Sequence, residues 1–165
     1  MSFVGTPGAL EAGPPTVYSA VMLRQVSTIL PIRAKRRGLH EFTPEVRNFV
    51  AESGIVEGLL TIFCRHTSAS ILIQENAAPA AARDLEAFFQ RLAPEGGPYE
   101  HDDEGPDDMP AHLRSALTAT QLSIPVMSGR LALGTWQGVY LFEHRRQPHE
   151  REIVLHLVGE GPDSR

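Results

Sequence analysis

Residues 58–74 read Gly58-Leu59-Leu60-Thr61-Ile62-Phe63-Cys64-Arg65-His66-Thr67-Ser68-Ala69-Ser70-Ile71-Leu72-Ile73-Gln74. Two apolar, partly β-branched runs, 58–64 and 69–74, flank four polar residues, which is the pattern of two strands joined by a short connection. His66 is therefore expected at a strand end. Upstream, Thr43-Pro44 has the form of an N-cap followed by proline at the first helical position. Val46, Phe49 and Val50 then recur at i, i+3 and i+4 until Gly54, predicting a short amphipathic helix. Before it, residues 18–30 carry Val21, Val26, Thr28 and Ile29 and predict a strand ended by Pro31, with Arg33-Ala34-Lys35-Arg36-Arg37 in the following turn.

Downstream, residues 77–92 present Ala81, Leu85, Phe88 and Leu92 at steps of four, three and four, predicting a helix that buries that stripe and leaves Asp84 and Arg91 off it. Residues 94–110 combine glycine, proline and acids into a loop of a length that is uncommon without a functional reason. Pro110 is expected to open a short helix through Leu117, with His112 in its first turn. After it, residues 122–127, a Ser128-Gly129 turn, and residues 131–133, 139–142 and 153–158 read as consecutive strands of an antiparallel sheet. The whole is α+β, with helices lying against one or two sheets. Residues 1–16, rich in glycine and proline, are expected to be a flexible leader, and 17–160 a single domain.

The chain has 165 residues, 42% hydrophobic and 21% charged, an ordinary composition for a folded domain. No apolar run is long enough to span a membrane, and no basic residue precedes Arg24, so no membrane span or secretory signal is expected and the default setting is the cytoplasm. Cys64 is the only cysteine, which excludes an internal disulfide and multi-cysteine metal motifs. Any metal must be held by histidines and carboxylates. The 20 acids outnumber the 15 bases because residues 95–108 hold Glu95, Glu100, Asp102, Asp103, Glu104, Asp107 and Asp108 with no Lys or Arg between them. That segment repels a polyanion, so nucleic acid is not an expected partner.

Of seven histidines, His40, His144 and His149 fall in predicted turns and are expected at the surface, and His156 alternates within the last strand. His66, His101 and His112 differ, because they sit at the edges of elements around one acidic loop. Three such ligands could hold Zn²⁺ or a similar divalent ion with one position open, although spacings of 35 and 11 residues match no standard motif. The competing reading is a solvated acidic loop with incidental histidines. A phosphate site competes for the same ground: Thr67, Ser68 and Ser70 offer hydroxyls, and Arg65, Arg130 or Arg145 a charged fork. Cys64 stands two residues from His66, but buried packing is its favoured role over a thiolate nucleophile.

The most distinctive stretch is Gly129-Arg130-Leu131-Ala132-Leu133-Gly134-Thr135-Trp136-Gln137-Gly138. With it stand, in order along the chain, Cys64-Arg65-His66-Thr67-Ser68-Ala69, then Gln74-Glu75-Asn76 followed by Arg83-Asp84-Leu85, then His101 and Ala111-His112. On these motifs the chain resembles the YjbQ family, also called the secondary thiamine-phosphate synthase enzyme family, from about Val17 to Gly159. The resemblance implies an α+β sandwich that assembles as a homotrimer with a pocket near a subunit boundary. It carries His66, His101, His112, Glu75 and Asp84 into a metal or phosphate site, with Trp136 and Gln137 close by. It also implies a weak thiamine-phosphate synthase activity on small phosphorylated molecules, with the three histidines on a divalent metal or a phosphate, Asp84 orienting one imidazole, and Arg130 or Arg145 as anion partner. A metal-dependent hydrolase and a non-catalytic metal- or ligand-binding trimer are the alternatives. Where many relatives have a short Gly-Asn-x-x-Ala-His approach, this chain has Gly105-Pro106-Asp107-Asp108-Met109-Pro110-Ala111-His112, leaving open which of Asp103, Asp107 and Asp108 faces the site.

Overall fold

In the computed structural model, residues 22–162 are described, so the expected leader and the start of the first strand lie outside the described residues. The described chain forms β1 (Leu23–Ala34), β2 (Gly38–Glu41), α1 (Thr43–Ser53), β3 (Glu57–Cys64), β4 (Ala69–Glu75), α2 (Pro79–Leu92), α3 (Asp108–Ala116), β5 (Gln121–Met127), β6 (Arg130–Leu131), β7 (Gln137–Glu143) and β8 (His149–Glu160). They build a five-stranded sheet in the order β1-β8-β3-β5-β6 and a three-stranded sheet in the order β2-β7-β4. Every pairing is antiparallel. The two sheets share one hydrophobic core: Leu60, Ile62, Leu155 and Leu157 come from the larger sheet, Ile71, Val139 and Leu141 from the smaller, and Val46 and Val50 from α1. The expected α+β architecture is what the chain adopts.

Alternation sets the register of the larger sheet. Ile153, Leu155 and Leu157 of β8 face the core and lie opposite Cys64, Ile62 and Leu60 of β3, while His156 faces outward between Ser27 and Thr61. Gly58 and Gly159 are a facing pair in this ladder. A Cβ on Gly159 would meet Glu57 O at 2.1 Å and Gly58 Cα at 2.6 Å, so only hydrogen fits. The Ser128-Gly129 turn has φ of +51° and +71° at its two residues, the left-handed conformation a tight hairpin needs, as expected.

Several expectations are corrected. Pro31 does not end the first strand, which runs on to Ala34 with Pro31 opposite Glu152. β1 is an outer strand of its sheet, where a residue without an N–H is tolerated. Thr43 is the first residue of α1 rather than its cap, and its Oγ1 donates to Glu41 Oε1 and accepts the Val139 N–H, each at 2.8 Å. The late strands do not form one sheet: β7 leaves for the smaller one, where its near-continuous apolar run is covered on both faces. On α2 the buried ring is Phe89, edge-on to Phe142 with centroids 5.4 Å apart, while Phe88 and Leu92 are exposed. α3 starts at Asp108, two residues before Pro110, because a first-turn N–H has no partner within the helix and proline can occupy such a position.

A polar layer lies within this core. Arg151 forks onto Glu143, Nε to Oε2 at 2.7 Å and Nη2 to Oε1 at 2.6 Å, and also reaches Ser68 Oγ at 3.2 Å. His144, expected in an exposed turn, is fully buried beside them, because the chain continues inward past the end of β7. Its Nε2 pairs with Ser70 Oγ at 2.9 Å and its ring packs against Phe142. Burial, helped by the guanidinium charges of Arg114, Arg151 and Arg37, pushes the His144 pKa down to about 3.

Gly159→Ala is expected to destabilise the protein by about 1–3 kcal/mol, measured by urea denaturation, because the added methyl must push two strands apart. Since the folded pKa of His144 lies below its ordinary value of 6.5, the unfolded chain takes up the extra proton and stability falls as pH drops below that value. Between about pH 7 and about pH 4 the wild type should lose on the order of a few kcal/mol more than His144→Gln, read from urea midpoints at each pH.

Candidate functional site

The first turn of α3 gathers the chemistry. Asp107 precedes the helix, Asp108 opens it, and His112 follows one turn later on the same face. Asp108 is only 2% exposed. Its Oδ1 is held by Arg145 Nη1 in a close ion pair. Its Oδ2 is buried without a hydrogen-bond partner among the described residues, 2.9 Å from His101 Nε2 and 3.5 Å from His112 Nε2. These three donor atoms lie within 4.8 Å of one another. His112 Nδ1 stands 3.0 Å from the Thr67 carbonyl oxygen. A carbonyl only accepts, so Nδ1 bears a proton, and the ring turns its other nitrogen, Nε2, toward Asp108.

Arg145 fastens the acidic loop to this turn. Besides Asp108 it reaches Asp107 Oδ2 at 3.3 Å and the Glu104 carbonyl at 2.8 Å, and the Arg146 N–H donates to Asp107 Oδ2 at 2.8 Å. Desolvation raises the Asp107 pKa, but the Arg146 N–H bond and the Arg145 charge outweigh it and leave the carboxyl below its ordinary value. Of the three aspartates left open by the sequence, Asp108 faces the histidines, Asp107 holds Arg145 and Arg146, and Asp103 is exposed.

The structure divides the expected site. It joins His101 and His112 through Asp108 and leaves His66 out of that cluster. His66 Nε2 accepts the Glu152 N–H at 2.8 Å, and burial, then the Arg151 charge, lowers its pKa. Its neighbour Thr67 contributes the carbonyl that orients His112, and Ser68 bonds Arg151. Arg145, expected as an anion partner, spends its donors on the acidic loop. Cys64 is buried with Sγ 3.6 Å from the Ala69 carbonyl, and burial raises its pKa, in line with the packing role.

Glu75, Trp136 and Gln137 lie at the opposite end of β4 and β7, lining with Ile73, Gln74 and Ala77 an open cavity of about 540 Å³. Six residue-to-residue steps along the strand, roughly 20 Å, separate Gln137 from Glu143. Arg130 lines a separate cavity with Arg47 and Asn48 of α1, and Asp84 is exposed on α2. The residue that sequence reasoning left unassigned is Asp108, although the spacing Asp108-x-x-x-His112 places both on one helix face once the helix is known to begin at Asp108.

A family model described as "UPF0047 protein YjbQ-like" matches residues 28–160. UPF0047 protein sll1880 of Synechocystis is 52% identical over 87% of this chain and 99% of its own length. UPF0047 protein YjbQ of Escherichia coli O157:H7 is 46% identical over 79% of this chain and 96% of its own. Among solved structures, a YbjQ-like protein of unknown function from Sulfolobus solfataricus P2 superposes with a TM-score of 0.78 at 26% identity, over 84% of this chain and all of its own. A hypothetical protein from Aeropyrum pernix K1 does so with a TM-score of 0.76 at 32% identity, over 82% of this chain and 99% of its own. With most of its length matched in both sequence and fold, the chain belongs to the UPF0047 YjbQ-like family.

Proposed function

We propose that His101, Asp108 and His112 hold a divalent cation, Zn²⁺ or similar, and that this centre acts on a small phosphorylated molecule. One observation carries the reading: two imidazole nitrogens, His101 Nε2 and His112 Nε2, converge on the buried Asp108 Oδ2, which has no hydrogen-bond partner among the described residues, and the three atoms lie within 4.8 Å of one another. A carboxylate oxygen taken out of water needs a compensating partner, and a divalent ion held between it and the two imidazoles supplies one. Donors about 2.0–2.2 Å from a tetrahedral ion stand roughly 3.3–3.6 Å from one another. The two separations from Asp108 Oδ2, 2.9 and 3.5 Å, need little adjustment to match, and all three donors lie within 4.8 Å. Three protein donors leave one position for a ligand, as in catalytic centres.

The residues around the donors serve that role. The Thr67 carbonyl fixes the His112 tautomer, and Arg145 holds the far oxygen of Asp108 so that the near one points at the imidazoles. The acidic loop would repel a bare diphosphate, and the bound cation supplies the charge that reverses this. On this centre we place the weak thiamine-phosphate synthase activity implied by family resemblance. A carbon–nitrogen bond forms between a pyrimidine methylene and a thiazole phosphate, and the carbon–oxygen bond to pyrophosphate breaks. None of this needs a membrane, no described helix is long and apolar enough to cross one, and the cytoplasmic setting is part of the same proposal.

Assembly as a homotrimer is likewise proposed. It is supported by apolar side chains left exposed in the single chain: Ile29, Leu59, Phe63 and Met127 on the outer face of the larger sheet, and Phe88 and Leu92 on α2.

Elemental analysis of the purified protein should find stoichiometric divalent metal that is lost in His101→Ala and in Asp108→Asn. Metal-free wild type, or metal retained in both variants, would remove the centre. Pyrophosphate release from a pyrimidine diphosphate and a thiazole phosphate should depend on His112, whereas phosphate release from simple esters would point to hydrolysis. Sedimentation should give three times the 18.1 kDa chain mass, in wild type and in His112→Ala alike. Dissociation of that variant would make the histidines structural.

A further inference from the structure

A cavity of about 240 Å³, distinct from the three ligand atoms of the proposed metal centre, is lined by Arg37, Gln90, Pro94, Glu95, Arg114 and Arg146. Arg37 comes from the connection between β1 and β2, Arg114 from α3, and Arg146 from the connection between β7 and β8. Three guanidiniums from three separate parts of the chain thus surround one small space.

Arg114 is the telling member. It is only 2% exposed, and among the described residues it forms no ion pair. Its Nη2 donates to the Ala93 carbonyl at 2.8 Å, and its Nε is buried with no partner. A guanidinium cannot shed its charge in a protein, and buried charges are ordinarily paired. Burial, with the Arg37 charge next, lowers the Arg114 pKa by more than the nearby Glu95 and Glu86 charges raise it.

The other two arginines share a single carboxylate. Glu95 Oε1 accepts from Arg37 Nη1 at 2.6 Å and from Arg146 Nε at 3.2 Å, and Glu95 Oε2 forms a close ion pair with Arg146. Glu86 stands 3.9 Å from Arg37 Nε. Three cations therefore face two carboxylates, and the most buried cation is the one left over.

We propose that this cavity binds a phosphate group, with Arg37, Arg114 and Arg146 as donors and Glu95 as a built-in carboxylate that competes for two of them. The chemistry selects phosphate over a carboxylate ligand. Converging guanidinium forks suit an anion with several acceptor oxygens, whereas the two oxygens of a carboxylate duplicate what Glu95 already provides. The volume admits a phosphate or the end of a phosphomonoester but no nucleotide, and no aromatic side chain lines it to stack a base.

The test titrates inorganic phosphate calorimetrically into the full chain and its variants, with circular dichroism to show that each is folded. Arg37 and Arg146 are replaced in place of the buried Arg114, whose loss could unfold α3. Saturable binding is expected in wild type, about tenfold weaker in Arg37→Ala and in Arg146→Ala, and about tenfold tighter in Glu95→Gln. The weakening by Arg37→Ala and by Arg146→Ala should persist in the His101→Ala background, which separates this cavity from the metal centre. No saturable binding in either wild type or Glu95→Gln would overturn the proposal. So would binding that survives Arg146→Ala and disappears in His101→Ala. Glycerol 3-phosphate competing with phosphate, with the same arginine dependence, would identify a monoester end as the ligand; failure to compete would identify the free ion.

Discussion

Between Glu95 and Asp108 the chain carries seven carboxylates and no Lys or Arg, a segment that repels itself and would extend into solvent if left alone. Two consecutive arginines, brought in at the end of β7, prevent this. Arg145 ties down Asp107, Asp108 and the Glu104 carbonyl, while Arg146 takes Glu95 and, through its backbone N–H, Asp107 again. The segment is clamped at both ends by one dipeptide. The start of α3, the burial of Asp108 and the approach of His101 to His112 all follow from that clamp. Without it His101, on an exposed stretch, would have no reason to stand near a helix that begins seven residues later.

The clamp rests on a foundation beneath it. Arg145 follows Glu143 and His144, and these two are locked in the core by Arg151 and Ser70. Glu143 belongs to the smaller sheet and Arg151 to the larger, so their fork joins the two sheets directly above the hydrophobic core. Such a pair contributes little net stability against a well-packed apolar replacement, yet losing one partner strands a charge in the interior. Its structural effect is positional: it fixes where β7 ends, and so where Arg145 begins.

Much of the architecture is legible in the sequence because it rests on local periodicity. The alternation in β8, the paired runs that became β3 and β4, the i, i+3, i+4 spacing of α1 and the Ser128-Gly129 turn all carry their own signals. Other features depend on which element packs against which. β7 is near-continuously apolar and β8 alternates, but which sheet each joins is set by tertiary contacts. The face that α2 buries is set by the position of Phe142, so Phe89 is covered and the more regular Phe88–Leu92 stripe is not. His101 and His112 were recognisable by motif, but Asp108 was hidden among six other acids, because nothing local distinguishes the one carboxylate that becomes buried. His144 was misplaced for the same reason: a histidine beside two arginines near a turn reads as surface, and only the packing of β7 draws it inside.

Pro31 has a meaning beyond the strand it failed to stop. β1 spans twelve residues and, among the described residues, has a neighbour on one side alone. A ladder of that length left open is a template for stray chains, in crowded conditions a seed for fibrils. Proline in such a strand turns its missing N–H away from β8 and so deletes a donor from the open side, and Arg24 and Arg33 add charge near the two ends. The missing donor makes this open edge a poorer template for another strand.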